Sequence, residues 1–206
     1  MTAPASVTNP HANLRLWLII PVKPLGEGKS RLQAALSVAS RAELSRSWLA
    51  HLLATATAWG GCAGVVVVSR DATVLAQAAD AGAQSLMEQG DTLNAALEQA
   101  RRWTIEAGAD VVLVLPADLP LLTVMDLAQL TTVAPDAGMV IAPSHDRGTN
   151  AILLRPPDAI PYAFGEDSFA RHLALAAAAG VTVRVVHSAT LALDIDRPED
   201  LLLVNR

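Results

Sequence analysis

Short apolar runs recur along the chain, most of them separated by stretches with helical spacing. Residues 16–22 (LWLIIPV), 64–69 (GVVVVS) and 110–115 (DVVLVL) read as buried strands, because β-branched and apolar side chains continue without polar alternation. A weaker strand is expected at 83–87. Two more are expected at 138–142 and 150–154, around the loop 143–149, and a last pair at 181–186 and 190–194. Helices fall between these runs. One over about 40–59 opens with a Ser40-x-x-Glu43 capping box, one to about residue 81 is capped by Asp71, and one over 91–107 has Asp91 as its cap. Others are expected at 123–133 and 168–179, and a final one from Pro198, which suits a first helical position with Asp196 or Arg197 near the cap.

Continuous apolar strands alternating with helices predict an α/β domain whose largely parallel sheet is covered by helices on both faces. The late strand pairs make that sheet mixed. No repeat, low-complexity tract or linker interrupts the pattern, so one domain is expected over 14–206, preceded by a polar, flexible N-terminal tail at 1–13. In such sheets ligands bind beyond the carboxyl ends of the strands, which directs attention to polar residues just after each apolar run.

Composition narrows the function. With 206 residues, 52% hydrophobic and 17% charged, the chain can bury the core of one ordinary domain. No run approaches the roughly 18 apolar residues of a membrane span, and the N-terminus lacks the layout of a signal peptide. A formal charge of −5 argues against nucleic acid as a partner. Cys62 is the sole cysteine, so no internal disulfide forms; a cytoplasmic location and a half-buried packing role for Cys62 are expected. The basic residues are unevenly chosen: thirteen are Arg and two are Lys, and both lysines, Lys23 and Lys29, fall in one loop.

That loop, PVKPLGEGKSRL, directly follows the first strand. Gly26 and Gly28 permit close approach of backbone to phosphate, Ser30 adds a hydroxyl, and Lys23, Lys29 and Arg31 can neutralise a polyphosphate. Gly28-Lys29-Ser30 matches the end of a P-loop, but the required first glycine is Lys23, so the spacing fails. The alternative is a solvated turn. Asp118, in PADLP after the central strand, either caps a helix or holds Mg²⁺, a hard cation suited to carboxylates and phosphates. Asp194 and Asp196 lie two apart, which on extended backbone puts both side chains on one face. They either cap a helix and bond Arg197, or join Asp118 in a cluster for two Mg²⁺ ions and phosphoryl chemistry.

The segment SHDRGTN at 144–150 contains Ser, His and Asp, but consecutive residues cannot form a catalytic relay, and His145 reads as a loop side chain. Thr149 and Asn150 offer hydrogen bonds. Ser168, after FGED, can open a helix whose N–H groups bind an anion. His51, His172 and His187 fall at helix or strand positions and receive no role. Gly90 and Asn94 precede or open a helix, and spacing alone gives them nothing more.

Five blocks, VKPLGEGKSRL, LPADLPLL, APSHDRGTNAILL, FGEDSF and LDIDRPEDL, together resemble the guanylyltransferases that start the side chain of the deazaflavin coenzyme F-420. Members of that family act on 2-phospho-L-lactate or phosphoenolpyruvate. The resemblance runs from about Leu16 to Leu203 and implies a single Rossmann-like nucleotidyltransferase domain. It implies that Lys23, Lys29 and Arg31 serve the GTP phosphates, that Gly90 and Asn94 lie near the nucleoside, and that Asp118, Asp194 and Asp196 bind Mg²⁺. Thr149, Gly165 and Ser168 match the part of the pattern that holds the acceptor's phosphate. Pro24-Leu25-Gly26 stands where the wider superfamily carries paired glycines.

The expected partners are therefore GTP, a small phosphorylated carboxylic acid and the downstream transferase of the same pathway. Ala- and Leu-rich helix faces would permit a homodimer. The Arg-over-Lys, Ala-rich composition suggests a bacterial member, for which phosphoenolpyruvate is the leading acceptor, ahead of 2-phospho-L-lactate and 3-phospho-D-glycerate. The rivals are a guanylyltransferase for a molybdopterin or sugar phosphate, a metal-dependent glycosyltransferase using Asp194-x-Asp196, and a non-catalytic nucleotide-binding regulator.

Overall fold

Strand β1 (Leu16–Pro21) is buried on both sides, and its side chains divide cleanly: Leu16, Leu18 and Ile20 enter one core, Ile19 the other. The same alternation repeats in β4 (Val111–Val114), β5 (Gly138–Pro143) and β6 (Thr149–Arg155), the geometric result of successive side chains pointing to opposite faces. With β2 (Gly64–Ser69), β3 (Gln84–Met87) and β7 (Val183–Val185), the described strands form a seven-stranded sheet in the order β3-β2-β1-β4-β6-β5-β7. Every pairing is parallel except the two made by β6, so the sheet is mixed and mostly parallel, as its run-and-helix pattern predicts. This is a computed structural model, and the residues it describes are 14–195 and 198–204. The expected tail at 1–13, and with it Asp196 and Arg197, lies outside them.

Helices cover both faces. On one, α1 (Val38–Trp59), α2 (Ala72–Asp80), α4 (Val124–Thr132) and the short α6 (Ala189–Ala192) contribute Leu49, Leu52, Val74, Leu127 and Leu191. On the other, α3 (Leu93–Glu106) and α5 (Ser168–Ala178) supply Leu97, Ala100 and Ala176. Cys62 is half-buried against the first core, and burial pushes its thiol pKa up.

Several local expectations change. The cap of α1 is Ser37, whose side chain accepts the N–H of Ser40, rather than a Ser40–Glu43 box; Glu43 instead pairs with Arg46. Thr92, not Asp91, caps α3 by accepting the N–H of Ala95. Asp71 does cap α2, and Thr123 with Asp126 forms a full capping box on α4. The strand expected at 190–194 is absent: Ser188 accepts the N–H of Leu191 and starts α6 there. The last helix, α7 (Leu201–Val204), begins three residues beyond Pro198, so Pro198 is not its first residue.

Candidate active site

The parallel strands end at one edge of the sheet, and antiparallel β6 begins there, because Val114 of β4 lies opposite Ile152 and Pro143 of β5 opposite Thr149. Loops after β1, β2, β4 and β5 therefore meet the start of β6 along the carboxyl edge, where α/β sheets bind ligands.

The loop after β1 is held from three directions. Pro24 O accepts the N–H groups of Glu27 (2.9 Å) and Gly28 (3.0 Å), a tight turn. Leu25 N–H donates to Asp71 Oδ2 at 2.9 Å, so the α2 cap also grips this loop; the Thr73 hydroxyl is the main cause of the lowered Asp71 pKa. Buried Arg41, on the first turn of α1, donates to Gly28 O at 3.1 Å. A Cβ at Gly26 would meet nothing within 4 Å, and one at Gly28 only ordinary contacts at 3.7 Å, so the protein's own packing demands glycine at neither. Lys23 and Arg31 are exposed; Ser30 opens the 3-10 turn Ser30–Leu32.

Lys29 is the focus of this loop. It adopts a left-handed backbone (φ 56°), which costs a non-glycine residue roughly 1 kcal/mol or more. Its nearly buried ammonium pairs with the carboxylate of Asp118 and lies 5.5 Å from the centre of the Trp48 ring. Leu32 and Trp48 then pack with Ile195 in a separate buried cluster, joined by Leu193. The basic loop, Asp118 and the segment carrying Asp194 thus converge.

Asp194 is oriented by its neighbours. Asn150, buried at the start of β6, donates to Leu191 O (2.9 Å) and to Asp194 Oδ1 (3.2 Å). His145 Nδ1 stands 3.5 Å from the same carboxylate oxygen, and its backbone N–H donates to Ala192 O at 3.0 Å. Below this segment, Asp126 Oδ1 accepts the hydroxyls of Ser188 (2.7 Å) and Thr190 (2.6 Å), fastening α6 to α4. Burial alone would raise the Asp126 pKa, but its hydroxyl and backbone donors together hold it below the ordinary value.

Beside it, β6 and α5 bring together a small buried group of polar side chains. Ser168 Oγ donates to Thr149 Oγ1 at 3.1 Å, and His172 Nδ1 lies 3.1 Å from the same oxygen. Asp167 precedes α5 in a left-handed conformation (φ 51°) and gives it no side-chain cap; the N–H of Ser168 donates instead to Gly165 O at 3.2 Å. Phe169 N–H donates to Arg147 O, and the Arg147 side chain pairs with Asp167 at 3.2 Å. Gly165 has φ +126°, a conformation that excludes ordinary side chains.

The third wall comes from α3. Asn94, Glu98 and Arg101, spaced along one helix face, bond the backbone of the 160–164 segment: Asn94 to both N–H and C=O of Phe164, Glu98 to Tyr162 N–H, Arg101 to Ile160 O. One N–H and one lone pair of the Asn94 amide are therefore used structurally. A Cβ at Gly90 would stand 2.7 Å from Ala95 Cβ, which explains glycine there.

The profile of a family described as "Guanylyl transferase CofC like" matches residues 16–204. The chain belongs to the CofC-like guanylyltransferase family. It is 45% identical over 190 residues to a phosphoenolpyruvate guanylyltransferase of Rubrobacter xylanophilus, covering 91% of this chain and 92% of that protein. It is 36% identical over 193 residues to a 2-phospho-L-lactate guanylyltransferase of Methanothermobacter thermautotrophicus, covering 91% and 83%. The solved structure of CMP:2-keto-3-deoxy-manno-octonic acid synthetase complexed with CTP shares the fold, with TM-score 0.63 at 16% identity over 92% of this chain and 96% of that one.

In this CofC-like chain the described aspartates Asp118 and Asp194 offer carboxylate oxygens, a donor set suited to a hard divalent cation, and Asp118 already holds a positive charge in the form of Lys29. Among the described residues no group of three acidic, His or Cys side chains forms a metal cluster; Asp196 lies outside them. Among the described residues, no helix is long and apolar enough to cross a membrane. Three structural participants carried no sequence signal. Arg41 and Trp48 sit in an ordinary amphipathic helix, and His172 meets Thr149 across 23 residues.

Proposed function

We propose that this CofC-like protein transfers GMP from GTP to the phosphate of phosphoenolpyruvate and releases pyrophosphate, in the biosynthesis of coenzyme F-420. The reading is carried by the Lys29–Asp118 pair, which joins the phosphate-binding loop to a carboxylate at the carboxyl edge of the sheet. The acceptor is supported by the name of the Rubrobacter relative, at 45% identity.

In the reaction an oxygen of the acceptor's phosphate attacks the α-phosphorus of GTP. The new P–O bond forms in line with the breaking bond to the β-phosphate, and pyrophosphate leaves. A phosphate monoester is already nucleophilic at neutral pH, so catalysis is positioning and charge neutralisation, with no general base or covalent intermediate. Lys23, Lys29 and Arg31 receive the GTP phosphates, with the backbone of Gly26 and Gly28 beside them; the side chain of Ser30, the loop's other candidate, lies outside those described. Gly90 and the unused half of the Asn94 amide face the nucleoside. Thr149, Ser168 and the backbone at Gly165 hold the acceptor's phosphate beside the start of α5. Asp118, Asp194 and Asp196 would hold Mg²⁺, which would supply charge stabilisation for the transferring phosphoryl group.

The test is pyrophosphate release from GTP with phosphoenolpyruvate, 2-phospho-L-lactate and 3-phospho-D-glycerate in parallel, in the presence of the downstream transferase, with Mg²⁺ and with excess EDTA. Release with phosphoenolpyruvate, abolished by EDTA, is expected. Release with phospholactate alone, the substrate named for the Methanothermobacter relative, would keep the chemistry and change the acceptor. Folded protein that binds GTP but releases nothing would make this a nucleotide-binding regulator.

A further inference from the structure

His172 is fully buried on α5 and has a partner on each ring nitrogen. The N–H of Ala163 donates to Nε2 at 3.0 Å, so Nε2 must be the unprotonated, accepting nitrogen. Nδ1 therefore carries the proton and donates it to Thr149 Oγ1, 3.1 Å away, with the Ser168 carbonyl as a second acceptor beside it. Ser168 Oγ donates to that same oxygen. A hydroxyl has two acceptor lone pairs and one proton; with both lone pairs taken, Thr149 can act further only as a donor.

We propose that His172 is a positioning residue that fixes the Thr149 hydroxyl as a hydrogen-bond donor toward the anionic phosphate of the acceptor. The inference rests on the acceptor site assigned under the proposed function and adds a reason for its polarity. A free threonine hydroxyl can turn its lone pairs toward a ligand and repel an anion. Here a backbone amide selects the histidine tautomer, the histidine selects the orientation of the threonine, and the outward group is an O–H. Burial, with the neighbouring Arg171 charge, lowers the His172 pKa to about 4, so the neutral ring persists across the neutral range. Phe164 packs against the His172 ring in a T-shaped contact, 5.0 Å between ring centres.

Two isosteres separate the ring's two bonds. In His172→Gln the side-chain oxygen reaches the Nε2 position and keeps the Ala163 bond, but the donor to Thr149 is lost. In His172→Asn the amide N–H takes the place of Nδ1–H and keeps that donor. We expect H172Q to raise KM for the acceptor about tenfold, the loss expected when a bond to a charged group is weakened, while kcat and KM for GTP stay near their original values. H172N should recover most of the acceptor affinity lost in H172Q. Thr149→Val should match H172Q, and the H172Q/T149V double variant should be no worse than T149V alone. Equal effects of Asn and Gln, or a parallel rise in KM for GTP, would overturn the proposal.

The native protein gives an independent readout should a variant fail to fold. A long-range ¹H–¹⁵N spectrum of the imidazoles at neutral pH should show His172 as the neutral Nδ1–H tautomer. An Nε2–H or doubly protonated ring would overturn the proposal whatever the kinetics. Absence of pyrophosphate release by the unaltered protein with every acceptor would instead sink the functional reading, and the tautomer spectrum would still judge the network.

Discussion

Lys29 and Asp118 meet as an ion pair although 89 residues separate them, and Trp48 underlies the ammonium. The lysine side chain is only 9% exposed, so the pair lies where water screens it poorly. Such a contact serves either to hold two loops together or to keep a charged pair ready for a phosphate and a cation. The two roles make different predictions. If the pair is poised for chemistry, Asp118→Asn and Lys29→Met each lower kcat for pyrophosphate release by about 10²–10³-fold, the scale of losing one preorganised electrostatic contact. The double variant stays inactive. If the pair only braces the fold, removing both charges together should restore activity, because no unpaired buried charge remains. A thermal melt of each variant separates lost folding from lost catalysis.

Asn150 ties the start of β6 to the segment that ends at Asp194. Its amide satisfies Leu191 O and Asp194 Oδ1 at once. Asn150→Ala removes the side-chain donor to Leu191 O in α6, a buried hydrogen bond, which costs about 1–3 kcal/mol. Turnover should fall further than stability does, because Asp194 loses an orienting contact. Urea unfolding and pyrophosphate release on the same preparation check the pair of effects. A variant as active as the original, at whatever stability, would remove Asn150 from the support of Asp194.

The strands were legible in the sequence because buried parallel strands carry long apolar runs that need no tertiary information to recognise. LWLIIPV and DVVLVL lie within a residue or two of β1 and β4. The failure at 190–194 has a specific cause. TLALD alternates like a strand, but four or five residues cannot distinguish periods, and the hydroxyl of Ser188 decides for a helical turn. Caps went astray where two candidates stood close together: Ser37 against Ser40, Asp91 against Thr92. The candidate site divides in the same way. Groups that follow strands, such as Lys29 and Asp118, were visible by position. Groups that act through a distant partner, such as Arg41 on Gly28 and His172 on Thr149, were not, since their spacing is that of any helix.

Asp126 combines a capping box with a clasp on α6. Its carboxylate accepts from Thr123 N–H, the Thr123 hydroxyl, Ser188 and Thr190. Asp126→Asn keeps the shape but turns an acceptor arm into a donor facing donors, and should cost about 2 kcal/mol at neutral pH. Because the folded pKa is lowered, the stabilisation is complete above the unfolded value near 3.8 and disappears as pH falls through the folded one. The gap between the two proteins in urea unfolding should therefore be wide at pH 7 and narrow below pH 3.8. A gap independent of pH would mean that shape, not charge, is what Asp126 provides.

His172 acts in a higher pH window. Its pKa falls from 6.5 in the unfolded chain to about 4 in the folded protein, so between those values the unfolded chain binds more protons. Stability is then complete above pH 6.5 and declines as pH drops toward 4, by about 3 kcal/mol in all. The loss is physical: protonating Nε2 sets an N–H against the N–H of Ala163 and takes a charge into an apolar site. His172→Asn has no group to titrate, so subtracting its stability curve from that of the original protein isolates the term. The difference should be flat above pH 6.5 and slope steeply below it, well separated from the Asp126 transition. A flat difference down to pH 4 would mean that His172 stays protonation-indifferent in the folded protein, and that the Ala163 bond does not constrain it.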